Sequence, residues 1–357
     1  MVLRQLLSVT LCLFALTVST ALADAPHYTV TDLGASGKIS QAEAINNRGQ
    51  VVGWQDKESF LWENGRQQII STQPYQGAHG INEVGQVVGI PGEFHMLLSG
   101  STLSGASAFV WDRGYLDYLP GFSEAYSINA QGQIAGESSD HATIWERRHV
   151  SGALNNAPNF IWQSLPAYKI KQLSGYPYSI AYSLNSHSEV VGTMLSNLNN
   201  IPEHGRAFRY QDGKADFLPI PSHGSSTAFS INELGMIAGM FHKPSSAWQA
   251  ALWPPTGAMQ TLPPLLGYAT AVAHSLNETA QVVGWAAKQF ASDTIGPSPD
   301  ARACLWQGGS VYDLNTAIPA DSGWILQEAR AINNKGWIVG GGMLHGKYHA
   351  FLLSPLP

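Results

Sequence analysis

An all-β fold, a seven-bladed β-propeller of four-stranded blades, is what this sequence predicts, and three observations predict it. An eleven-residue pattern, AINNRGQVVGW at Ala44–Trp54 and AINNKGWIVGG at Ala331–Gly341, occurs seven times. Its asparagines, Asn46, Asn82, Asn129, Asn185, Asn232, Asn277 and Asn333, are 36, 47, 56, 47, 45 and 56 residues apart, a period proper to propellers and solenoids. The fourth strand missing from the last repeat is supplied at the opposite end of the chain, which serves a closed ring and gives an open solenoid nothing.

Each copy of the pattern reads as a β-hairpin. Asn46 can open a turn by accepting a hydrogen bond from the backbone two residues on, and Gly49 supplies the positive φ of a type I turn followed by a bulge. Val51 and Val52, like Ile237 and Ile338 later, start a second strand of β-branched residues. The closing Gly53 lets a neighbouring backbone or ring approach closely. Ser188 and Ala280 replace the turn glycine in two copies, so those hairpins are expected to be strained or differently built.

A third segment follows each hairpin and usually ends in an aromatic: Ser59–Trp62, Ala108–Trp111, Ala142–Trp145, Ala207–Tyr210, Ala250–Trp253, Ala303–Trp306 and, without one, Ala350–Leu353. A fourth closes on Ile70, Leu119, Leu173, Leu218, Leu262 and Leu314, six segments for seven copies. Tyr28–Gly34, YTVTDLG, matches Val311–Leu314 and is expected to complete the last blade. A parallel β-helix is the rival architecture, but its coils are shorter and need terminal caps.

At the N-terminus, Arg4 precedes an apolar run from Leu6 to Leu22 that ends in Ala21-Leu22-Ala23, the pattern of a secretory signal peptide cleaved after Ala23. The mature chain, 24–357, is expected to be one propeller domain, exported to the periplasm or the medium, with no membrane span left after cleavage. A formal charge of −6 without basic runs argues against nucleic acid and against an anionic membrane surface. Of two cysteines, Cys12 leaves with the signal peptide, and Cys304 stands where other repeats carry Phe109 or Phe351, a core position. A monomer is expected.

The hairpins, with His349-Ala350-Phe351, His141-Ala142 and Arg206-Ala207-Phe208, resemble the HAF repeat of extracellular bacterial proteins across nearly the whole mature chain. The resemblance implies a repeat fold and export, and no catalytic assignment. Gln249-Ala250-Ala251 and Arg302-Ala303-Cys304 depart from the triplet.

Within the frame Ala-x-small that precedes each Ile/Leu-Asn, the middle position varies while its neighbours do not. It holds Glu43, His79, Tyr126, Tyr182, Phe229, His274 and Arg330, one per repeat. Innermost strands surround a propeller axis, so these side chains are expected to ring the channel near its mouth. Aromatics, imidazoles and an ion pair there suit a sugar or a peptide. Packing between blades is the alternative. The two histidines come from distant repeats without a local ligand motif, so no metal and no cofactor is expected. Two-to-three links of uneven length carry Phe94, His95, Met96, His204, Lys288 and Phe290 on the same face, and Glu146–Tyr178 reads as a three-to-four insertion on the opposite one.

No metalloprotease, P-loop, nucleophile-elbow, EF-hand or Cys-x-x-Cys motif is present. The Asn277-Glu278-Thr279 sequon falls in the repeat's own turn and reads as a by-product of the hairpin. The functional expectation is an exported, non-catalytic binding module for an extracytoplasmic glycan or protein ligand. The alternatives are a hydrolase or lyase using Glu43, His79, His274 or Arg330 on a glycan or peptide-like substrate, and a structural part of a cell-surface assembly.

Overall fold

Apolar alternation broken at fixed intervals by an asparagine turn folds every repeat into an antiparallel four-stranded sheet, and the computed structural model contains seven of them. It describes residues 26–35, 37–72, 77–90, 108–119, 124–149, 160–198, 204–221, 223–244, 246–289 and 298–356. The expected signal peptide, Phe94, His95, Met96 and Phe290 lie outside them. In blade one, β2 (Ser40–Ile45), β3 (Val51–Gln55), β4 (Glu58–Glu63) and β5 (Arg66–Ser71) pair in order. Blade seven is β26 (Trp324–Ile332), β27 (Ile338–Leu344) and β28 (Lys347–Pro355), completed by β1 (Tyr28–Asp32). The register runs from Tyr28↔Pro355 to Asp32↔Phe351, so both ends of the chain share the last sheet, as expected.

The hairpin turn is built as the sequence predicts and does more than turn the chain. Asn46 Oδ1 accepts from the N–H groups of Arg48 at 3.1 Å and Gln50 at 3.0 Å, and Gly49 takes φ 86°. Ser188 and Ala280 hold the same left-handed backbone, at φ 60° and 61°, so those two hairpins are strained and not rebuilt. The asparagine's Nδ2 donates to the next blade: Asn46 to Asn82 O at 3.0 Å, and so on round the molecule to Asn333, which donates to Asn46 O at 3.0 Å. Seven such bonds close a circle about the axis. In the sequon, Asn277 is 2% exposed and donates to Gln281 and Asn333, so its amide serves the fold.

The residue after each asparagine adds a second belt. Asn47 donates to Glu83, Ser186 to Glu233, Glu233 to Glu278, Glu278 to Asn334, and Asn334 to Asn47 at 2.8 Å. Blade three has Ala130 at this position, which offers no acceptor, and the belt is open there.

All seven inner hairpins carry a β-bulge in their first strand. In blade one the pairs Ala42↔Gly53 and Ala44↔Val52 leave Glu43 as the extra residue. This explains the second glycine of the repeat: a Cβ on Gly53 would lie 2.0 Å from the carbonyl oxygen of Gln41. Between blades the core is packed by third-strand side chains, with Phe60, Phe109, Phe208, Phe351 and Cys304 all 0% exposed. Blade one's Val51 and Phe60 meet blade seven's Val339 and Leu352 in one such layer. Serine hydroxyls stitch the same seams. Ser40 accepts from Ala350 N–H, Ser179 from Ala142 and Ser226 from Ala207, which gives the alanine of the His-Ala-Phe triplet a backbone role.

Blade three differs from its expected boundaries. β12 (His141–His149) and β13 (Phe160–Lys169) extend past the blade as a paired hairpin reaching His149↔Phe160. The fourth segment ends at Ile170 instead of Leu173. Ile170 N–H donates to Ala142 O at 3.0 Å, as Leu119 does to Ala108 and Leu218 to Ala207. The described parts of the stretch Glu146–Tyr178 are therefore the extended strands of the three-to-four pair and, after Ile170, an ordinary four-to-one link. No helix among the described residues is long and apolar enough to cross a membrane.

Candidate functional site

The bulge residue of every first strand is the variable residue of the repeat. The seven first strands are β2, β6 (Gly77–Ile81), β10 (Glu124–Ile128), β14 (Tyr178–Leu184), β18 (Ser225–Ile231), β22 (Thr270–Leu276) and β26, and each contacts the next in a circle. A bulge turns its extra side chain out of the pleat. Here the alanine just before it is 0% exposed in all seven blades, whereas His79, Tyr126, Tyr182, Phe229, His274 and Arg330 remain partly exposed and the Glu43 side chain is nearly sealed, at 5%. Each ring residue lies within its strand, three positions before the turn asparagine.

Most of the ring is continuous. Centroid distances are 6.0 Å from His79 to Tyr126, 5.2 Å to Tyr182, 5.4 Å to Phe229 and 5.2 Å to His274. The contacts are edge-on or tilted, the favourable geometry for aromatic pairs. Burial holds both histidines below the ordinary imidazole range and therefore neutral.

From His274 onward the ring is ionic, and it draws in residues that the sequence does not mark. His274 Nε2 lies 3.0 Å from Glu328 Oε1 and 3.0 Å from Trp285 Nε1. One ring nitrogen cannot serve both at once, and a carboxylate is the stronger acceptor for its proton. Arg330 Nε is 3.0 Å from Glu328 and 3.6 Å from Glu43, and Trp54 Nε1 donates to Glu43 at 3.1 Å. Burial alone would raise Glu328, but the charge of Arg330 and the bond from His274 bring it below the usual carboxylate range. Gln41 donates to Glu328 and accepts from the hydroxyl of Tyr348 at 3.2 Å. Tyr348 reaches inward because residue 341 is glycine: a Cβ there would stand 2.3 Å from its oxygen.

Blade three supplies a second acidic cluster. Glu124 and Glu137 face each other across β10 and β11 (Ile134–Ser138), and the Tyr126 hydroxyl donates to Glu124. Burial raises both carboxyls, Glu137 to about 7, with Glu124 and Asp140 adding repulsion. Burial, then the charge of Glu124, lifts the Tyr126 and Tyr182 hydroxyls above their ordinary value.

Glu124 and Glu328 occupy the same repeat position, two residues before the bulge, as does Gln41. Their recurrence ahead of the variable residue was a signal available in the sequence. Among the described residues no three His, Cys, Asp or Glu side chains gather as a metal-binding group, and three aromatic rings separate His79 from His274. His204 and Lys288, expected near the mouth, lie exposed on two-to-three links and take no part in the ring.

No protein-family model and no curated protein matches the chain. Among solved structures it is similar to the β-propeller domain of the Trilobed protease from Pyrococcus furiosus, with TM-score 0.51 and 10% identity over 88% of this chain and 93% of that one. It is also similar to the extracellular domain of a hybrid two-component system from B. thetaiotaomicron, with TM-score 0.52 and 10% identity over 92% of this chain and 40% of that one. At such identity the likeness is one of fold. The chain is a seven-bladed β-propeller. The P. furiosus domain has an open velcro topology, whereas here β1 pairs with β28 and closes the ring.

Proposed function

We propose that the mature chain is an exported binding module of the HAF-repeat kind, taking a small extracytoplasmic ligand at the propeller axis through Glu43, His79, Tyr126, Tyr182, Phe229, His274 and Arg330. The reading rests on the contrast at the bulge: the residue before it is sealed in every blade, while the bulge residue changes identity from blade to blade and, in every blade but the first, where the Glu43 side chain is 5% exposed, keeps partial exposure. Side chains free to vary around a rigid, stitched ring are where specificity is written. Aromatic edges with carboxylates and a guanidinium suit a ligand that is part apolar and part polar.

The test is binding to glycan and peptide arrays by the mature protein and by a variant carrying Tyr126→Ala, Tyr182→Ala and Phe229→Ala. Signals should fall at least about tenfold in a variant that still unfolds cooperatively. Equal signals from both proteins would move the ligand off the axis. A second reading, a hydrolase or lyase, draws on Glu137, whose carboxyl is pushed to about 7 beside Glu124 and so can exchange a proton near neutrality. Turnover of a bound array ligand that disappears in Glu137→Gln would select that reading.

A further inference from the structure

Blades three and seven carry the same frame at the axis with one change. Blade seven reads Glu328-Ala329-Arg330, and blade three reads Glu124-Ala125-Tyr126. In blade seven the chain provides its own cation, with Arg330 Nε 3.0 Å from Glu328 and 3.6 Å from Glu43. In blade three the arginine is replaced by tyrosine and a second carboxylate is added, since Glu137 stands directly opposite Glu124. Neither glutamate has a lysine, arginine or histidine partner among the described residues. Their polar contacts are the Tyr126 hydroxyl on Glu124 and the Asp140 N–H on Glu137, at 2.9 Å.

Two carboxyl groups at this depth without a cation are unfavourable, and Glu137 is only 8% exposed. An aromatic wall stands beside them. The Tyr126 ring meets Tyr182 edge-on at 5.2 Å, and both keep partial exposure. Carboxylates next to aromatic rings are the combination that holds organic cations, through charge-assisted hydrogen bonds on one side and ring electrons on the other.

We infer that Glu124, Glu137, Tyr126 and Tyr182 form a subsite for a cationic group of the ligand, a guanidinium or an ammonium, which brings to blade three the positive charge that Arg330 brings to blade seven. This specifies the chemistry of the axial ligand and rests on the axis being the binding site. A ligand that carries such a group is anchored on blade three and spans toward the Glu43–Arg330–Glu328 cluster.

The experiment is calorimetric titration of the mature protein with argininamide and with citrullinamide, which has nearly the same shape without the guanidinium charge. Argininamide should bind at least about tenfold more tightly. A Glu124→Gln, Glu137→Gln variant should lose that preference. A Tyr126→Arg variant, which installs the blade-seven frame in blade three, should remain folded and also lose argininamide binding, because its own guanidinium occupies the subsite. Either variant decides the question if the other fails to fold. Equal binding of the two amides, or argininamide binding unchanged in a folded variant, overturns the subsite. No argininamide binding at all, alongside array ligands that depend on Tyr126, Tyr182 and Phe229, also overturns it while leaving the axial site standing.

Discussion

At the scale of single residues, the asparagine of the repeat is the most fully used side chain. Asn46 accepts twice within its own turn, donates to Gln50 and donates to Asn82 O, so all its polar capacity is taken at 3% exposure. Glu137 is the contrasting case. Its carboxyl keeps a proton to about pH 7 when folded, against an ordinary value of 4.5, with Glu124, Asp140, Tyr126 and Tyr182 around it and no cation among the described residues. Between those values the folded state binds more protons than the unfolded one. The stabilisation is complete below about pH 4.5 and disappears as pH rises through about 7, some ~3 kcal/mol in all. Glu137→Gln should therefore flatten the fall in unfolding free energy from pH 4.5 to 7, measured by urea titration at several pH values. Parallel pH profiles for wild type and variant would show that Glu137 is not raised. The seven ring residues were legible in the sequence because they alone vary inside a constrained frame. Glu328 was not singled out, because a bulge breaks the two-residue alternation and hides which side chains before it reach the axis.

At the scale of the element, the inner hairpin joins turn chemistry to blade-to-blade bonding. The turn itself could be read from Asn-x-x-Gly, down to the strained copies at Ser188 and Ala280. The bonds it makes to its neighbours could not, since they join residues 36 to 56 positions apart and, at Asn333 and Asn46, 287 apart. The fourth strand of blade three was misplaced by three residues because Leu173 imitates the closing leucine of other repeats, while Ile170 holds the backbone bond. The second belt suggests a gain. Ala130→Asn should let Oδ1 accept from the N–H of Glu83, as Asn47 accepts from Asn334. At an exposed turn this should add about 0.5–1 kcal/mol and raise the melting temperature by about 1–3 °C. A melting temperature unchanged or lowered would mean that the belt contributes little at this seam.

At the scale of the whole molecule, closure by β1 ties the two ends of the chain into one sheet. Five residue pairs join β1 to β28, and Tyr28 and Leu33 are 2% and 3% exposed. A chain shortened to begin at Ala35 leaves β28 as an open edge and removes both buried side chains from the core, a loss of about 3–6 kcal/mol. Its melting temperature should drop by about 10 °C or more. A synthetic peptide of residues 24–36 should recover much of the difference by adding back the missing strand. Unaltered melting of the shortened chain would show that the circle of asparagines and the blade interfaces suffice without the closing strand.

The sequence by itself determined the number of blades, the closing strand, the turn residues and the set of seven side chains that face the axis. Each follows from local chemistry repeated at intervals, or from a count that fails by one at one end and is made good at the other. The tertiary structure alone decided how far the charge network extends beyond the expected ion pair. Glu43 and Glu328 share Arg330 because blades one and seven become neighbours on closure, although 285 residues separate Glu43 from Glu328 along the chain. Glu124 and Glu137 are left facing each other because the hairpin register places them opposite on either side of one pair of strands. Coulomb energy depends on distance and on the surrounding dielectric, and both are properties of the closed ring that no local pattern encodes.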